Sequence, residues 1–324
     1  MPFFWKKKEK KEKEKITRLL YIADIHGSVP VFSKLLRGWK IFDVQNIILA
    51  GDLSGKAVIP VIQQPDGKYR CKVLGQTWVV DEKELPMIER KINTLGFYPY
   101  YTDEDGAQDL LDPKKYDEIY MRLVKERLRD WIKKIEETFK DTGVKFFVSA
   151  GNDDPDELRE IIQQSSYVVD PEDRVVTVDG HEMISLGWSN PTPWHTPREC
   201  SEEELREKIE KLVSMVSDMK GCIFNFHCPP KDTMIDTVAY VDEKTLKMDM
   251  RKIVGAGSIA IREAIEKYQP MLGLHGHIHE SRGVFRLGRT LLINPGSEYA
   301  EGILRGVIVV LEKERVKGYQ FVSG

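Results

Sequence analysis

Apolar positions fall into two patterns along this chain: short solid runs, and longer stretches that repeat every three to four residues. The short runs cover residues 18–23, 46–50, 144–150, 222–226 and 271–275, and each reads as a β-strand. Residues 58–62 and 68–74 flank Gln63-Gln64-Pro65-Asp66-Gly67, a hairpin signal. Residues 81–95 have helical spacing and stop at Gly96. A long helix is predicted from Asp112 as N-cap with Pro113 at its first position. Tyr116, Tyr120, Leu123, Leu128, Trp131, Ile135 and Phe139 recur along it, a stripe that reads as core packing rather than a binding surface. Further helices are expected at 156–164, at 258–267, and from a Ser201/Glu204 capping box to Met219. Hairpin strands are expected at 175–178 and 183–186, and antiparallel strands across 284–322. There is no internal repeat.

Composition narrows the class. The 324 residues are 41% apolar, enough for a substantial core, and could form one large α/β domain or two smaller ones. Net charge is -3, so no global positive field recruits nucleic acid, and an extended duplex is not expected as a partner. Cys71, Cys200, Cys222 and Cys228 show no C-x-x-C spacing and read as reduced thiols. No apolar run reaches a membrane span and Phe3-Phe4-Trp5 is too short for a signal peptide, so a cytoplasmic location is expected. Residues 1–16 read as a solvated Lys/Glu-rich tail, and 17–324 as one domain with an insertion, hairpin plus helix, at about 57–111.

The five solid runs share one property: each is followed by residues that can hold a metal. The order is Asp24-Ile25-His26-Gly27, Gly51-Asp52, Gly151-Asn152-Asp153, His227, and Gly276-His277-Ile278-His279. α/β proteins build sites at the carboxyl ends of strands that share a sheet. Oxygen and imidazole ligands gathered there suit first-row transition metals, so a two-metal site is expected. Two nearby cations need a shared ligand, and a carboxylate bridges better than an imidazole or amide. Asp52 is the natural bridge, with Gly51 removing the side chain that would obstruct approach. Asp24 and His26, two apart on an extended segment, would point the same way and grip one metal. His277 and His279 share that spacing but are assigned to different metals.

These blocks resemble the calcineurin-like metallophosphoesterases, whose signature is D-x-H, G-D, G-N-H-[DE], H and G-H-x-H. The resemblance runs from about Arg18 to the final strands. It implies a four-layer α/β/β/α sandwich of two mixed sheets with the site at one sheet edge. It implies that Asp24, His26 and His279 hold one metal, that Asn152, His227 and His277 hold the other, and that Asp52 holds both. Mn²⁺ is the expected ion, with Fe, Zn, Ni or Co as alternatives. The implied reaction is hydrolysis of phosphodiesters or small phosphate esters, short nucleotides included, by a metal-bridged hydroxide. The loop from Gly187 to Pro197, followed by Ser201-Glu202-Glu203-Glu204, looks like that of the Icc-related branch of predicted phosphoesterases.

Asp153 stands where the family often has a proton-donating His, and Ala150 stands where its protein phosphatases have Arg. Both departures point away from a protein phosphatase. Asp153 and His195, in the Pro-rich loop beside Trp194, are the two candidates for the missing donor. His181 is expected as a solvated turn residue, His275 as packing or support, and Cys228 as a buried thiol. Asn294-Pro295-Gly296-Ser297 lies near the metals in the family; by itself it signals a turn. Two other readings compete: a metal-binding scaffold of the same fold with little turnover, and a nuclease for short or single-stranded substrates. Oligomerisation is left open.

Overall fold

A computed structural model describes residues 16–242 and 244–324. The aromatic tip and the Lys/Glu run lie outside the described residues. Two mixed sheets make the body. Sheet I has the spatial order β17 (Arg315–Ser323), β16 (Arg305–Glu312), β1 (Thr17–Ala23), β2 (Asn46–Ala50), β7 (Lys145–Ser149). β1, β2 and β7 run parallel, while β16 and β17 add antiparallel edges. Sheet II has the order β14 (Gly283–Leu287), β15 (Thr290–Asn294), β13 (Leu272–Leu274), β10 (Ile223–Phe226), β9 (His181–Leu186), β8 (Val175–Val178). Its four central strands run parallel.

The solid apolar runs have a simple cause. A strand covered on both faces has no polar side to show in its sequence. In β1, Leu20 and Ile22 turn toward helices α1 (Val29–Phe42), α4 (Pro113–Phe139) and α5 (Glu157–Gln163). Leu19, Tyr21 and Ala23 turn the other way, onto Met183, Ile223, Leu272 and Ile293 of sheet II. The outer face of sheet II, with Ile184, Phe224 and Leu292, is covered by α6 (Glu202–Val213) and α7 (Ile259–Tyr268). The result is the four-layer α/β/β/α sandwich. Each Leu or Ile buried in these layers contributes roughly 1.5–3 kcal/mol. The aromatic stripe of α4 is core as expected: Trp131 stacks on Phe32 with centroids 4.4 Å apart, and Leu128, Ile135 and Phe139 are buried. Asp112 caps the helix by accepting from the Lys114 and Lys115 amides.

Between β2 and α4 the hairpin β3 (Val58–Gln63) and β4 (Tyr69–Val73) continues into β5 (Gln76–Val80), and β6 (Tyr98–Thr102) adds parallel to β3. This four-stranded sheet packs on α2 (Leu85–Thr94) around Val61, Val73, Val80, Ile88 and Ile92. A one-turn helix α3 (Glu104–Gln108), capped by Asp103, leads on toward α4. A two-stranded arm, β11 (Thr237–Val241) with β12 (Met248–Gly255), stands apart from the other sheets.

Two expectations need correction. α6 stops at Val213 rather than Met219. Beyond it the Ser214 hydroxyl bonds the Lys211 carbonyl, and the Ser217 and Asp218 amides bond Glu182, so side chains take over the backbone partners a helix would need. Residues 284–322 form antiparallel hairpins as expected, divided between the sheets: β14 with β15 in sheet II, where β15 also pairs parallel with β13, and β16 with β17 in sheet I. His181 is buried rather than solvated, because Asp179 and Gly180 alone make the turn, both at positive φ. The imidazole thus starts β9, with Nδ1 3.3 Å from the Gly221 carbonyl.

Candidate metal centre

Parallel strands end together. The carboxyl ends of β1, β2 and β7 form one edge of sheet I, and those of β10 and β13 one edge of sheet II. Cross-links bring these edges to the same place: the His277 amide donates to Asp24 Oδ1 at 3.0 Å and to Oδ2 at 3.1 Å, and the Ser297 hydroxyl donates to the Asp24 carbonyl at 2.6 Å.

The chain must turn sharply to expose side chains at this edge. Asp24, His26, Asp52 and His277 all take left-handed backbone, with φ of 57°, 40°, 50° and 66°. Each such residue costs roughly 1–3 kcal/mol, a strain that clusters at functional sites. Asp24 and His26 share a direction for this reason, not because the segment is extended. The ladder carries on beneath them, from the His26 amide to the Asp52 carbonyl (2.8 Å) and from the Gly27 amide to that of Leu53 (2.8 Å). Gly51 is needed twice over: its φ is 75°, and a Cβ there would collide with the His227 ring.

Two groups of side chains converge. Asp24, His26, Asp52 and His279 each offer a ligand atom within 4.8 Å of the others, and so do Asp52, His227 and His277. Asp52 is common to both. His26 Nε2 lies 3.0 Å from His279 Nε2 and 3.5 Å from Asp52 Oδ2. His227 Nε2 lies 3.3 Å from Asp52 Oδ1 and 3.7 Å from Asp24 Oδ1. Asn152 follows β7 in the same cluster, since the next amide, of Asp153, donates to Asp52 Oδ1 at 3.0 Å.

The supports around these groups are extensive. Asn152 Nδ2 donates to Thr196 Oγ1 (2.8 Å), which donates on to Glu199 Oε1 (2.7 Å), so the amide oxygen faces away from the loop. Asp154, fully buried, accepts from the amides of Leu53, Ser54 and Gly151 and ties the second and third blocks together. Asn294 Nδ2 donates to the Ile278 carbonyl (2.9 Å), and its Oδ1 accepts from Gly296, so the N-P-G-S turn holds the His277–His279 segment. His275 braces the turn after β10, with Nδ1 2.7 Å from the Phe226 carbonyl. Cys228 is buried and its thiol points to Asn190 Oδ1 at 3.1 Å.

The donor set fits cations. Asn152 Oδ1, His26 Nδ1 and both His227 ring nitrogens are buried without a hydrogen-bond partner. An unpaired buried polar atom costs roughly 1–3 kcal/mol; of these, His227 Nε2 lies beside Asp52 within the cluster, where an ion would supply the missing partner. Charge agrees. Burial lowers His277 to about 3 and His279 to about 4, and holds His26 well below its ordinary value, leaving neutral rings at pH 7. Burial would also lower His227, but Asp52 and Asp24 beside it raise it to about 9, so this ring carries a proton at pH 7 that it must release to bind a metal. Burial lifts Asp24 to about 7, whereas for Asp52 the neighbouring His227 and His26 outweigh burial and keep the carboxylate ionised. Buried carboxylate oxygens, an amide oxygen and neutral imidazoles are the ligands of borderline divalent metals.

The two donor candidates part company. His195 is exposed, at φ 53°, and no contact joins its ring to the two groups; its neighbour Thr196 is the residue that reaches Asn152. Asp153 sits at the rim, Oδ2 3.7 Å from His26 Nδ1, and is ion-paired to Lys56. Lys56, Thr196, Glu199, Asp154 and Tyr299 were not legible as site residues. Tyr299 packs its ring 4.6 Å from that of His26. Lys56 carried a faint signal, since it closes the run Gly51-Asp52-Leu53-Ser54-Gly55-Lys56.

No family model matches the chain. Over 142 residues, 43% of its length, the chain is 33% identical to the uncharacterised protein MJ1162 of Methanocaldococcus jannaschii, and the match spans 59% of that protein. One solved crystal structure superposes with a TM-score of 0.57 at 16% identity, covering 95% of this chain and 99% of the other. A phosphatase from Mycoplasma pneumoniae gives 0.45 at 13% identity, with 96% and 94% covered. At such identities the likeness is one of fold.

Proposed function

We propose that this protein is a dinuclear metal-dependent phosphoesterase of the calcineurin-like kind, within its Icc-related branch, acting on phosphodiesters or small phosphate esters. The observation that carries the reading is the pair of ligand groups sharing Asp52, with unpaired buried atoms among their members. In this reading Asp24, His26, Asp52 and His279 hold one ion, and Asp52, Asn152, His227 and His277 the other. Two divalent ions, Mn²⁺ by preference, would supply Lewis-acid charge against the phosphoryl oxygens and make water acidic enough to attack near neutral pH.

The chain's own residues do the rest. Asp24 is oriented by the His277 amide and Asn152 by Thr196, so the ligands are set before substrate arrives. The burial of Asp24, His26, Asp52 and His227 removes competing solvent from below, leaving the rim at Lys56, Asp153 and His279 for the ester. Asp153, engaged by Lys56, accepts rather than donates in this arrangement. His195 becomes the proton donor in this reading only through movement of its loop. The reading takes residues 17–324 as one catalytic domain with an insertion at about 57–111, in a cytoplasmic enzyme; among the described residues no helix is long and apolar enough to cross a membrane.

The test is metal analysis of the purified protein, followed by exhaustive chelation and a screen of mono- and diesters. Chelation should abolish hydrolysis, and Mn²⁺, Co²⁺ or Ni²⁺ should restore it better than Mg²⁺. Full hydrolysis surviving metal removal would overturn the reading.

A further inference from the structure

Lys56 is an exposed lysine on an unusually fixed piece of backbone. The residue before it, Gly55, donates its amide to Tyr98 Oη (2.8 Å) and accepts at its carbonyl from Tyr120 Oη (2.8 Å). The two residues after it are held as well: the Ala57 carbonyl accepts from the Tyr98 amide (2.8 Å), and the Val58 amide donates to Tyr116 Oη (3.3 Å). Ser54 and Leu53, just upstream, are clamped by the Asp154 carboxylate. Gly55 has no room for a side chain, because a Cβ would run into the Gly96 carbonyl. Three tyrosines, from α4 and β6, thus hold the loop that presents this one side chain. A surface lysine that only kept the protein soluble would need none of this.

The side chain is directed as well. Its ammonium pairs with Asp153, whose carboxylate lies 3.7 Å from His26 Nδ1. Its charge is felt at Asp24, His26, Asp52 and His279, members of one ligand group. Exposed Lys–Asp pairs contribute about 0–1 kcal/mol to stability, so the pair is not there to hold the fold. A cation kept at the open rim of a site built for anionic esters has a more direct use.

We propose that Lys56 is a substrate-binding residue, its ammonium contacting a non-bridging phosphoryl oxygen of the ester, and that Asp153 is its positioning residue. This rests on the phosphoesterase reading and deepens it. Asp153, where the family often has the proton-donating His, then serves to aim a cation. Such a site favours substrates whose phosphoryl group presents free anionic oxygens at the rim.

The experiment is calorimetric titration of the metal-loaded full chain with inorganic phosphate, on the unsubstituted protein, Lys56→Ala and Lys56→Arg, with bound metal and Tm measured on each. Losing one charge-assisted hydrogen bond should weaken phosphate about tenfold or more in Lys56→Ala, and Lys56→Arg should recover most of it. Metal content and Tm should stay at the unsubstituted values, and KM for an ester should rise in parallel with the phosphate Kd. If Lys56→Ala carries the same metal and binds phosphate as tightly as the unsubstituted protein, the proposal is wrong while the phosphoesterase reading stands. If the metal-loaded unsubstituted protein binds no phosphate, the reading itself falls, and the proposal with it.

Discussion

Asp52 belongs to both ligand groups, and its neighbours differ in how much they should matter. Asp52→Asn removes the shared charge, so occupancy should fall at both metal positions. His26→Ala should weaken one. Anomalous scattering from crystals of the two variants separates the outcomes, and two fully occupied metals in Asp52→Asn would refute the sharing. Gly51 makes a second residue-scale test. A methyl group there meets the His227 ring on a backbone already at φ 75°. Gly51→Ala should cost roughly 2–3 kcal/mol in denaturant unfolding and displace His227, lowering metal affinity with it. An alanine variant with unchanged stability and metal content would show that the ring has room to move. The spacing D-x-H put Asp24 and His26 together, and the structure brings them into one group, but for a reason the residues did not reveal. Their common direction comes from two left-handed residues, and positive φ at a non-glycine position leaves no trace in sequence.

At the scale of elements, solid apolar runs and caps were the reliable signals. Asp112 with Pro113 placed the start of α4, and Ser258 caps α7 through the Ile261 amide. What escaped was α1, whose helical spacing went unread, and elements that depend on a partner: β5, β6, the β11–β12 arm, and the end of α6. The loop after β9 shows why. Its geometry rests on Arg198, fully buried, which bonds the Gly151 carbonyl (3.2 Å) and pairs with the buried Glu172. The Arg198 amide also donates to the Asn152 carbonyl at 3.0 Å, so this pair holds the loop that orients Asn152. Fully stranding a buried charge costs about 3–5 kcal/mol, but Glu172 would keep Arg159 at 3.1 Å. Arg198→Met should therefore destabilise the protein by less than that and loosen any metal for which Asn152 is a ligand. Replacing Glu172 and Arg198 together with apolar residues should recover much of that stability. A double variant no more stable than the single one would show that the pair acts through geometry beyond charge.

At the scale of the whole molecule, the candidate centre is a seam. Asp24, His26, Asp52 and Asn152 come from sheet I, and His227, His277 and His279 from sheet II. Metal bound across the seam stabilises the native state alone, because the unfolded chain scatters these residues over more than 250 positions. Loading metal to about 100 times its Kd should add roughly 2.7 kcal/mol, visible as a rise in Tm that chelation reverses. A Tm indifferent to metal would mean the two sheets do not share an ion. The layered α/β/β/α architecture was legible only through the family resemblance; the sequence alone determined the strands that carry the blocks and the residue types that end them. Those features are local: an apolar run buries itself, and a ligand is a ligand wherever it lies. Only the tertiary structure decided how closely these side chains approach, that Asp153 faces Lys56, and that His181 is buried. Each of these depends on atoms far apart in the chain whose distances are set by how two sheets and an inserted one pack, and packing is a property of the whole fold rather than of any stretch of residues.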